Sequence, residues 1–510
     1  MSRKGGQPNP WIGLAGLCTA AGLVWLAFAE LAIALPTIAS ELHVDLTDLQ
    51  WANNAFSLAC GALVLAAGRI SDLYGRKRVL LLGVVIFGVF SLVTAFFSGL
   101  VGLIAGRALM GVGAALILPS TLAIIPQLFT REQQPKAFGA WMAVSWVGQA
   151  AGPAVGGALT SLLGWRSVFW SGAVFAVAAF FLIHGYTTES RDESAPHGIN
   201  AAGLLTSAGA ALCLLYGFTE GQETGFDDPL IIGLLVAAVV LAVVFVLIER
   251  RVHNPLVEFR LFRARDFDGA LTANLVMNMV FAGLSFLLAL YLQDVRGYSA
   301  LEAGLLLFPS TVTILLLNPV GYRVSSRFGP RSPVVWGLVL LGLGSILAGI
   351  LSTNSSYWLL MSGLLVLGAG LGLLSVPLSD TAVAGPPPEL AGMASGLFKM
   401  GSMLGGAIGV AIFSAIAKVI SSNRGEQAAQ AAGLSQDEIN QLGGALSGSD
   451  VSQDILDTLS PQLRDSIIAA YQQDYVSGVA GSIKIAGLFT LVAAIALVAI
   501  WPRNSHKSTA

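Results

Sequence analysis

Between two apolar runs, at residues 50–67 and 79–97, lies the polar segment Gly68-Arg69-Ile70-Ser71-Asp72-Leu73-Tyr74-Gly75-Arg76-Lys77-Arg78. Each flanking run has the length of one membrane crossing. The segment carries four cations, which cannot enter hydrocarbon, so we expect a tight turn at the cytoplasmic face, where Lys and Arg accumulate. Gly75 can adopt turn conformations that other residues cannot. Asp72 is placed either to cap the next helix or to pair with a neighbouring Arg. Taken alone, the segment also fits a simple positive anchor.

The composition is that of a polytopic membrane protein. The 510 residues are 55% hydrophobic and have a mean hydropathy of +0.75. Only 11% are charged, whereas soluble domains average about 25%. The three cysteines fall within apolar runs, which indicates buried small side chains and neither disulfides nor metal ligands. The sequence contains no metal-ligand cluster, phosphate-binding loop or catalytic triad. It therefore predicts no enzyme, no ATP-driven pump, no metal site and no nucleic-acid partner.

Fourteen apolar runs are long enough to cross the bilayer as helices. They centre on residues 11–35, 49–68, 79–98, 100–124, 137–160, 167–185, 199–218, 229–249, 267–291, 300–322, 332–352, 356–379, 393–418 and 479–501. With the N-terminus inside, six of the 27 Lys and Arg fall on the outer side and two lie within spans, while the others face the cytoplasm. This asymmetry predicts a multi-pass protein of the plasma (inner) membrane with both termini cytoplasmic.

The predicted fold class is an all-α integral membrane protein with 14 transmembrane helices, built from two six-helix bundles with a two-helix insert. The boundaries are a cytoplasmic N-terminus at 1–10, a first bundle at 11–186, the insert and its preceding loop at 187–250, an amphipathic cytoplasmic linker at 251–268, a second bundle at 269–501, which includes a hydrophilic outer insert at 421–476, and a cytoplasmic tail at 502–510. The charged outer insert favours a solvated cap. A weaker copy of the opening segment at 322–331 supports duplication: Gly329 corresponds to Gly75, but Ser326 replaces Asp72.

The opening segment resembles the signature loop between helices 2 and 3 of the major facilitator superfamily. The family pattern, G-x-x-x-D-x-x-G-R-[RK], is matched at Gly68, Asp72, Gly75, Arg76 and Lys77. The resemblance implies that this loop is an inner gate latch, whose Asp and Arg hold the two halves while transport rocks one half against the other.

The fifth span resembles the signature of the exporter branches of that superfamily. The sequence Gly148-Gln149-Ala150-Ala151-Gly152-Pro153-Ala154-Val155-Gly156-Gly157 matches G-x-x-x-G-P-x-x-G-G. Gly148 and Gly152 would give the helix a flat face for close packing, and Pro153 removes a backbone hydrogen bond and permits bending. With the spans and loops, this match makes the chain similar to the fourteen-span drug:proton antiporter branch along nearly its whole length.

Two ionisable residues of opposite sign lie inside the predicted hydrocarbon region. At 1.5 Å per residue, Glu30 lies about 8 Å from the outer end of span 1, and Arg107 lies about 10 Å from the outer end of span 4. Opposite charges at one depth indicate either an ion pair, which could merely fasten the two spans, or a shared aqueous cavity. The segment from Arg107 to Ala115 resembles the family's span-4 motif, whose Arg is tied to proton transfer. The resemblance implies coupling through Glu30 and Arg107, although Ala27 stands where the branch commonly has Asp.

Several polar and aromatic residues line a central cavity if their spans face it as they do in the family. These substrate-cavity candidates are Trp25, Phe28, Asn53, Asn54, Trp146, Gln149, Asn274, Asn278 and Lys399. Such a lining suits flat, amphipathic or cationic ligands. Each aromatic or amide residue taken singly fits helix packing better, whereas for Lys399 snorkelling to the membrane surface and a role in the cavity fit equally well.

The sequence therefore predicts proton-coupled efflux of amphipathic or cationic small molecules by alternating access. The proton is the coupling ion, no other cofactor is expected, and the protein is a monomer in the lipid bilayer. A dedicated exporter or flippase for a lipid, siderophore or peptide is the alternative with the same fold. A non-transporting receptor or scaffold is the alternative from another class, which only the outer insert supports.

Overall fold

The computed structural model describes residues 9–44, 46–191, 200–252, 254–353, 355–421, 424–431, 434–435, 439 and 460–501. Within these ranges the chain is helical and contains no strand, which confirms the predicted all-α class. The helices are α1 (Pro10–Leu42), α2 (Leu46–Tyr74), α3 (Arg76–Thr94), α4 (Leu100–Leu128), α5 (Gln134–Leu163), α6 (Arg166–Tyr186), α7 (Ala201–Thr224), α8 (Pro229–Glu249), α9 (Arg265–Leu290), α10 (Ala300–Phe328), α11 (Arg331–Ala348), α12 (Tyr357–Ser379), α13 (Ala391–Ile420), α14 (Arg424–Ala431) and α15 (Pro461–Ile500).

Thirteen helices of the described part of the chain are long and apolar enough to cross a membrane. Of the fourteen predicted spans, α5 is the one outside this set, although it is a continuous helix of 30 residues. The predicted count of fourteen is therefore consistent with the observed helices, which by themselves support thirteen.

The helices form two groups with the same internal pairing. In the first group α1 packs on α5, α2 on α4, and α3 on α4 and α6. In the second group α9 packs on α13, α10 on α12, and α11 on α12 and α15. The groups meet along α2–α13 and α5–α10, while α7 and α8 pack on each other and α7 lies against α2 and α13. This repeated arrangement is what a duplicated six-helix unit produces.

Tight turns of the same kind join α2 to α3 and α10 to α11. Gly75 has a φ of 107°, and Gly329 has a φ of 82°. L-residues with a side chain rarely adopt such angles, so glycine is required for these short reversals. The two turns agree in conformation, as the weak sequence repeat predicts. They differ in chemistry, because the hydroxyl of Ser326 bonds only to the carbonyl of Arg323 in its own helix.

The linker between α8 and α9 is fixed by the last residue of α8. The carboxylate of Glu249 accepts hydrogen bonds from Asn200 Nδ2 at 2.9 Å and from the backbone N–H of Val257 at 2.9 Å. Glu249 is buried, as are Val257 and Leu261 of the linker. The apolar side of this amphipathic segment therefore packs against the protein, and α9 begins at Arg265.

The last helix is the longest and extends past its neighbours. Gly478 packs against the carbonyl of Ala417, near the end of α13. The first part of α15, residues 461–477, therefore continues beyond that end. The predicted outer insert thus contributes a helical extension of the last span, because no further proline follows Pro461 before the apolar run. The rest of that insert lies largely outside the described residues.

Candidate functional site

Asp72 joins the two helix groups at the end of the molecule that carries the α2–α3 turn, which we call the latch end. Its carboxylate accepts hydrogen bonds from the backbone N–H groups of Gly392 at 2.9 Å and Met393 at 2.7 Å. These groups belong to the first turn of α13, where unpaired N–H groups and the helix dipole favour an anion. Of the two roles open to Asp72 in the sequence, pairing with Arg is observed, and the helix that it caps is α13 rather than α3.

Arg76 completes this contact, which we call the latch. Its guanidinium forms an ion pair with Asp72 at 2.6 Å and donates to the carbonyls of Pro388 at 2.6 Å and Glu389 at 3.1 Å. Both Asp72 and Arg76 are fully buried. Gly68 allows α2 to approach this closely, because a methyl group there would overlap the carbonyl of Gly392. The latch therefore connects the groups through a desolvated pair with several hydrogen bonds.

Lys77, predicted as part of the latch, bonds within its own helix group. Its ammonium donates to the carbonyls of His184 and Thr187, both at 2.7 Å, at the end of α6. The N-terminus of α3 is capped by Glu189, whose carboxylate accepts from the backbone N–H groups of Lys77 and Arg78. Sequence reasoning missed Glu189, since nothing local to the polar loop after span 6 indicates that it reaches α3.

A second contact between the helix groups involves Arg131, in the loop between α4 and α5. Its guanidinium donates to the carbonyl of Ala384, at the end of the short π-helical turn that follows α12. Asp380 in the same turn interacts electrostatically with Arg131. This contact, also missed from the sequence, lies beside the latch, so two arginines of the first group hold helix termini of the second.

Arg107 is buried between α1, α2 and α4. Its guanidinium donates to Asn53 Oδ1 at 2.8 Å and to the carbonyls of Ala27 at 3.1 Å and Ala52 at 3.3 Å. The charge also lies 4.3 Å from the ring centroid of Phe56. The predicted cavity residue Asn53 is therefore a ligand of this guanidinium.

Glu30 is buried at 3% exposure and does not bond directly to Arg107. Its Oε2 atom has no hydrogen-bond partner within the described residues, yet it is close enough to Arg107 for a Coulombic interaction. The guanidinium of Arg107 instead donates hydrogen bonds to backbone carbonyls of α1 and α2. The fastening ion pair that the sequence left open is thus not formed, and the first group contains a buried carboxylate whose Oε2 atom is unpartnered among the described residues.

Three glycines of α5 face α1, and two of them lie against the turn that carries Glu30. A methyl group on Gly148 would lie 2.8 Å from the carbonyl of Gly22, and methyl groups on Gly152 and Gly156 would overlap Ala29 and the backbone of Glu30. The two helices therefore touch backbone to backbone. Gly157 is half-buried, and α5 continues through Pro153, whose side chain lies outside the described part.

Lys399 is buried at 4% exposure and does not snorkel. Its ammonium lies 4.5 Å from the ring centroid of Trp141, 5.4 Å from Trp25 and 5.7 Å from Phe398. Trp25 belongs to α1 and Trp141 to α5, so a cation of the second group is held by aromatic rings of the first. Trp141 was not predicted, because its pairing with α13 is not visible in local sequence.

Aromatic rings connect Lys399 to Arg107. Trp25 stacks on Phe28 with centroids 5.5 Å apart, and Phe28 meets Phe56 edge to face at 4.7 Å. Phe56 then contacts Arg107. The predicted cavity residues Trp25 and Phe28 thus form one continuous aromatic wall between Lys399 and Arg107.

The other predicted cavity residues divide into packing and lining positions. Asn274 Nδ2 donates to the carbonyl of Phe398 at 2.8 Å and to Ser402 at 3.0 Å, and Asn278 donates to Asn274. Asn274 therefore fastens α9 to α13, while Asn278 bonds within its own helix to Asn274. Trp146 meets Phe281 of the other group at 4.9 Å, whereas Asn54 and Gln149 are half-buried.

Known sequences resemble this chain over most of its length. The profile of the Major Facilitator Superfamily matches residues 17–410. The tetracenomycin C resistance and export protein of Streptomyces glaucescens is 32% identical over 413 residues, which cover 81% of this chain and 77% of the relative. The quinolone resistance protein NorB of Staphylococcus aureus is 32% identical over 412 residues, which cover 80% of this chain and 89% of the relative.

Solved structures share the fold at low sequence identity. The human organic anion transporter MFSD10 (TETRAN) superimposes with a TM-score of 0.61 at 18% identity, covering 95% of this chain and 100% of that one. A bacterial homologue of the human lysosomal transporter Spinster, in an inward-facing and unoccupied conformation, gives a TM-score of 0.58 at 19% identity and covers 98% of this chain and 99% of that one.

Proposed function

Because the chain belongs to the major facilitator superfamily, we propose that it exports amphipathic small molecules in exchange for protons, by alternating access. Membership makes it a multi-pass membrane transporter rather than an enzyme. The export direction is supported by the relatives from Streptomyces glaucescens and Staphylococcus aureus, which are named for resistance to, or export of, small molecules. In this proposal the latch end and both termini lie on the cytoplasmic side of the plasma membrane. The transporter acts as a monomer.

The observation that carries this proposal is the latch. Asp72 and Arg76 of the first group hold the first turn of α13 in the second group through an ion pair and hydrogen bonds. All of these bonds are polar and lie at one end of the interface between groups. Breaking them would let the groups rock apart there, which alternating access requires. In the latched state the proposed cytoplasmic side is closed.

Glu30 is the proposed proton acceptor. It is a buried carboxylate whose Oε2 atom has no partner in the described part of the chain, and ionisable groups in such surroundings mark proton pathways. Arg107, held by α1 and α2, provides a fixed positive field that favours the ionised form. A proton that binds to Glu30 removes the attraction between its carboxylate and the Arg107 guanidinium. Glu30 lies where α1 and α5 touch, at Gly152 and Gly156. Protonation thereby changes the relative energy of the two packings of the groups.

Transport by purified protein in proteoliposomes tests the proposal. With an imposed pH gradient, we expect accumulation of an amphipathic fluorescent probe by the wild type. Glu30→Gln should abolish the response to the gradient while exchange of probe across the membrane without a gradient persists, because the neutral side chain still permits rocking. Glu41→Gln, at the exposed end of the same helix, is the matched control and should remain coupled. A gradient that drives no probe, or a fully coupled Glu30→Gln protein, would contradict the proposal.

A further inference from the structure

Lys399 is a buried cation without an anionic partner. Within the described residues its ammonium forms no ion pair and no hydrogen bond, and it lies over the rings of Trp25, Trp141 and Phe398. Burying an ammonium without hydrogen-bond acceptors is costly, so such a residue inside a membrane protein indicates a ligand or pathway.

A second donor without an acceptor lies at the same place. The indole Nε1 of Trp25 is buried and has no hydrogen-bond partner within the described residues. Its ring lies 5.4 Å from the Lys399 ammonium. By contrast, Nε1 of the neighbouring Trp141 donates to Thr121 Oγ1 at 3.1 Å. An indole of the first helix group with an unsatisfied N–H and an ammonium of the second group with no carboxylate partner among the described residues therefore lie at the same place.

We propose that Lys399 and Trp25 bind the carboxylate of an aromatic amphiphile, so that the cargo of the exporter proposed above, on which this inference rests, is an organic anion. A carboxylate offers two acceptor oxygens and one negative charge, which matches an ammonium and a neutral N–H together. A cationic group would be repelled by Lys399, and a neutral group would leave its charge unmatched. The wall formed by Trp25, Phe28 and Phe56 provides the flat apolar surface for the aromatic body.

The position of this site suits alternating access. Lys399 lies on α13, whereas the rings of Trp25 and Trp141 come from α1 and α5. A carboxylate bound there touches both helix groups and would be released when rocking separates the ammonium from the indole. The rocking motion that opens the latch end therefore also separates the two parts of the anion site.

Equilibrium dialysis on protein in lipid nanodiscs tests the inference with three probes that share one ring system: pyrenebutyrate, its primary amide and pyrenebutylamine, with empty nanodiscs as background. The wild type should bind the acid about tenfold or more tightly than the amide, since charge-assisted bonds are strong in buried sites. Lys399→Gln should remove this preference and Lys399→Arg should keep it. Trp25→Phe keeps an aromatic ring at this position but loses Nε1, so the affinity for the acid should fall several-fold and that for the amide by less.

Lys418→Gln removes a cation from an exposed position on the same helix and should change nothing. The inference is overturned if the wild type binds the amide or the amine as tightly as the acid, if the acid does not bind, or if Lys399→Gln keeps the preference. Dialysis needs no gradient. If the protein prefers the acid in dialysis but does not respond to a pH gradient in transport, the result contradicts proton coupling and leaves the anion site standing.

Discussion

The carboxylate of Asp72 accepts a hydrogen bond from the backbone N–H of Gly392 at 2.9 Å, across 320 residues of sequence. This bond ties the end of α2 to the beginning of α13. Both groups are buried, so water does not compete for them. The latch is therefore strong while closed and is lost as a unit when the helix groups separate.

Replacing Asp72 by Asn should open the latch. The change leaves Arg76 buried without its counter-ion, and breaking one partner of such a pair costs about 3–5 kcal/mol. Spin labels at Arg78→Cys and Glu389→Cys, both exposed and on opposite helix groups, should show a longer distance between labels than in the parent protein. Cys18, Cys60 and Cys213 would first be replaced by Ala in both proteins.

Ser326→Ala provides the matched control, because Ser326 is at the corresponding position of the second turn and bonds only to its own helix. The label distance should not change in this variant. An unchanged distance distribution in the Asp72→Asn protein would show that the latch does not hold the groups together.

Replacing Gly156 by Ala should destabilise the first helix group. The added methyl group overlaps the backbone of Glu30, and overpacking of this kind costs about 1–3 kcal/mol. Thermal unfolding should therefore begin at a lower temperature, and gradient-driven transport should fall. Gly233→Ala in α8 is the control, because the new methyl group meets open space there and the melting temperature should stay the same or rise. Equal melting temperatures for Gly156→Ala and the wild type would argue against backbone contact between α1 and α5.

Replacing Glu249 by Ala should loosen the linker. The variant loses the acceptor for Asn200 and Val257, which costs about 1–3 kcal/mol when the donors remain buried. Trypsin should then cut faster at the exposed Arg260 and Arg263, as followed by mass spectrometry of the fragments. Glu249→Gln keeps an acceptor and should resist cleavage better. Identical cleavage rates in all three proteins would mean that Glu249 does not fix the linker.

The stability contributed by Glu41 should depend on pH. Hydrogen bonds from Arg166 and then Trp165 hold the pKa of this carboxyl below its ordinary value. A lowered folded pKa means that the contribution is complete above the unfolded value of about 4.3 and is lost as the pH falls through the folded value. Glu41→Gln should therefore lower the melting temperature slightly at pH 7, and the difference should shrink towards pH 3. A difference that grows in acid would contradict this assignment.

The length and charge of the apolar runs predict the helical class, because a helix must span about 30 Å of hydrocarbon whatever its neighbours are. The turn at Gly75 also follows from local chemistry. Counting 1.5 Å per residue placed Glu30 and Arg107 at one depth, but rise along a helix does not fix the direction of a side chain around it. The direct pair is absent for that reason, and Arg107 reaches Ala27 and Ala52 instead.

Apart from the latch, which the family resemblance implies, the contacts between helix groups could not be predicted from the sequence. Lys399 meets Trp141 and Arg131 meets Ala384 only because the repeated units pack face to face. No spacing within either helix encodes that relation. The aromatic and amide residues of the predicted cavity show the same limit: Trp25 faces the interface, while Asn274 is used to fasten α9 to α13.

The forty residues of α15 make a rod of about 60 Å, twice the thickness of the hydrocarbon layer. Roughly its first 25 Å, from Pro461 to Ser477, continues past the end of α13 and packs on α14, where Ile467 is buried against Ala429 and Ile439. A small antibody fragment raised against this extension would bind the transporter at the end of α13 that lies opposite the latch. It would supply the protruding marker that electron cryomicroscopy needs to orient a protein otherwise hidden in its detergent belt.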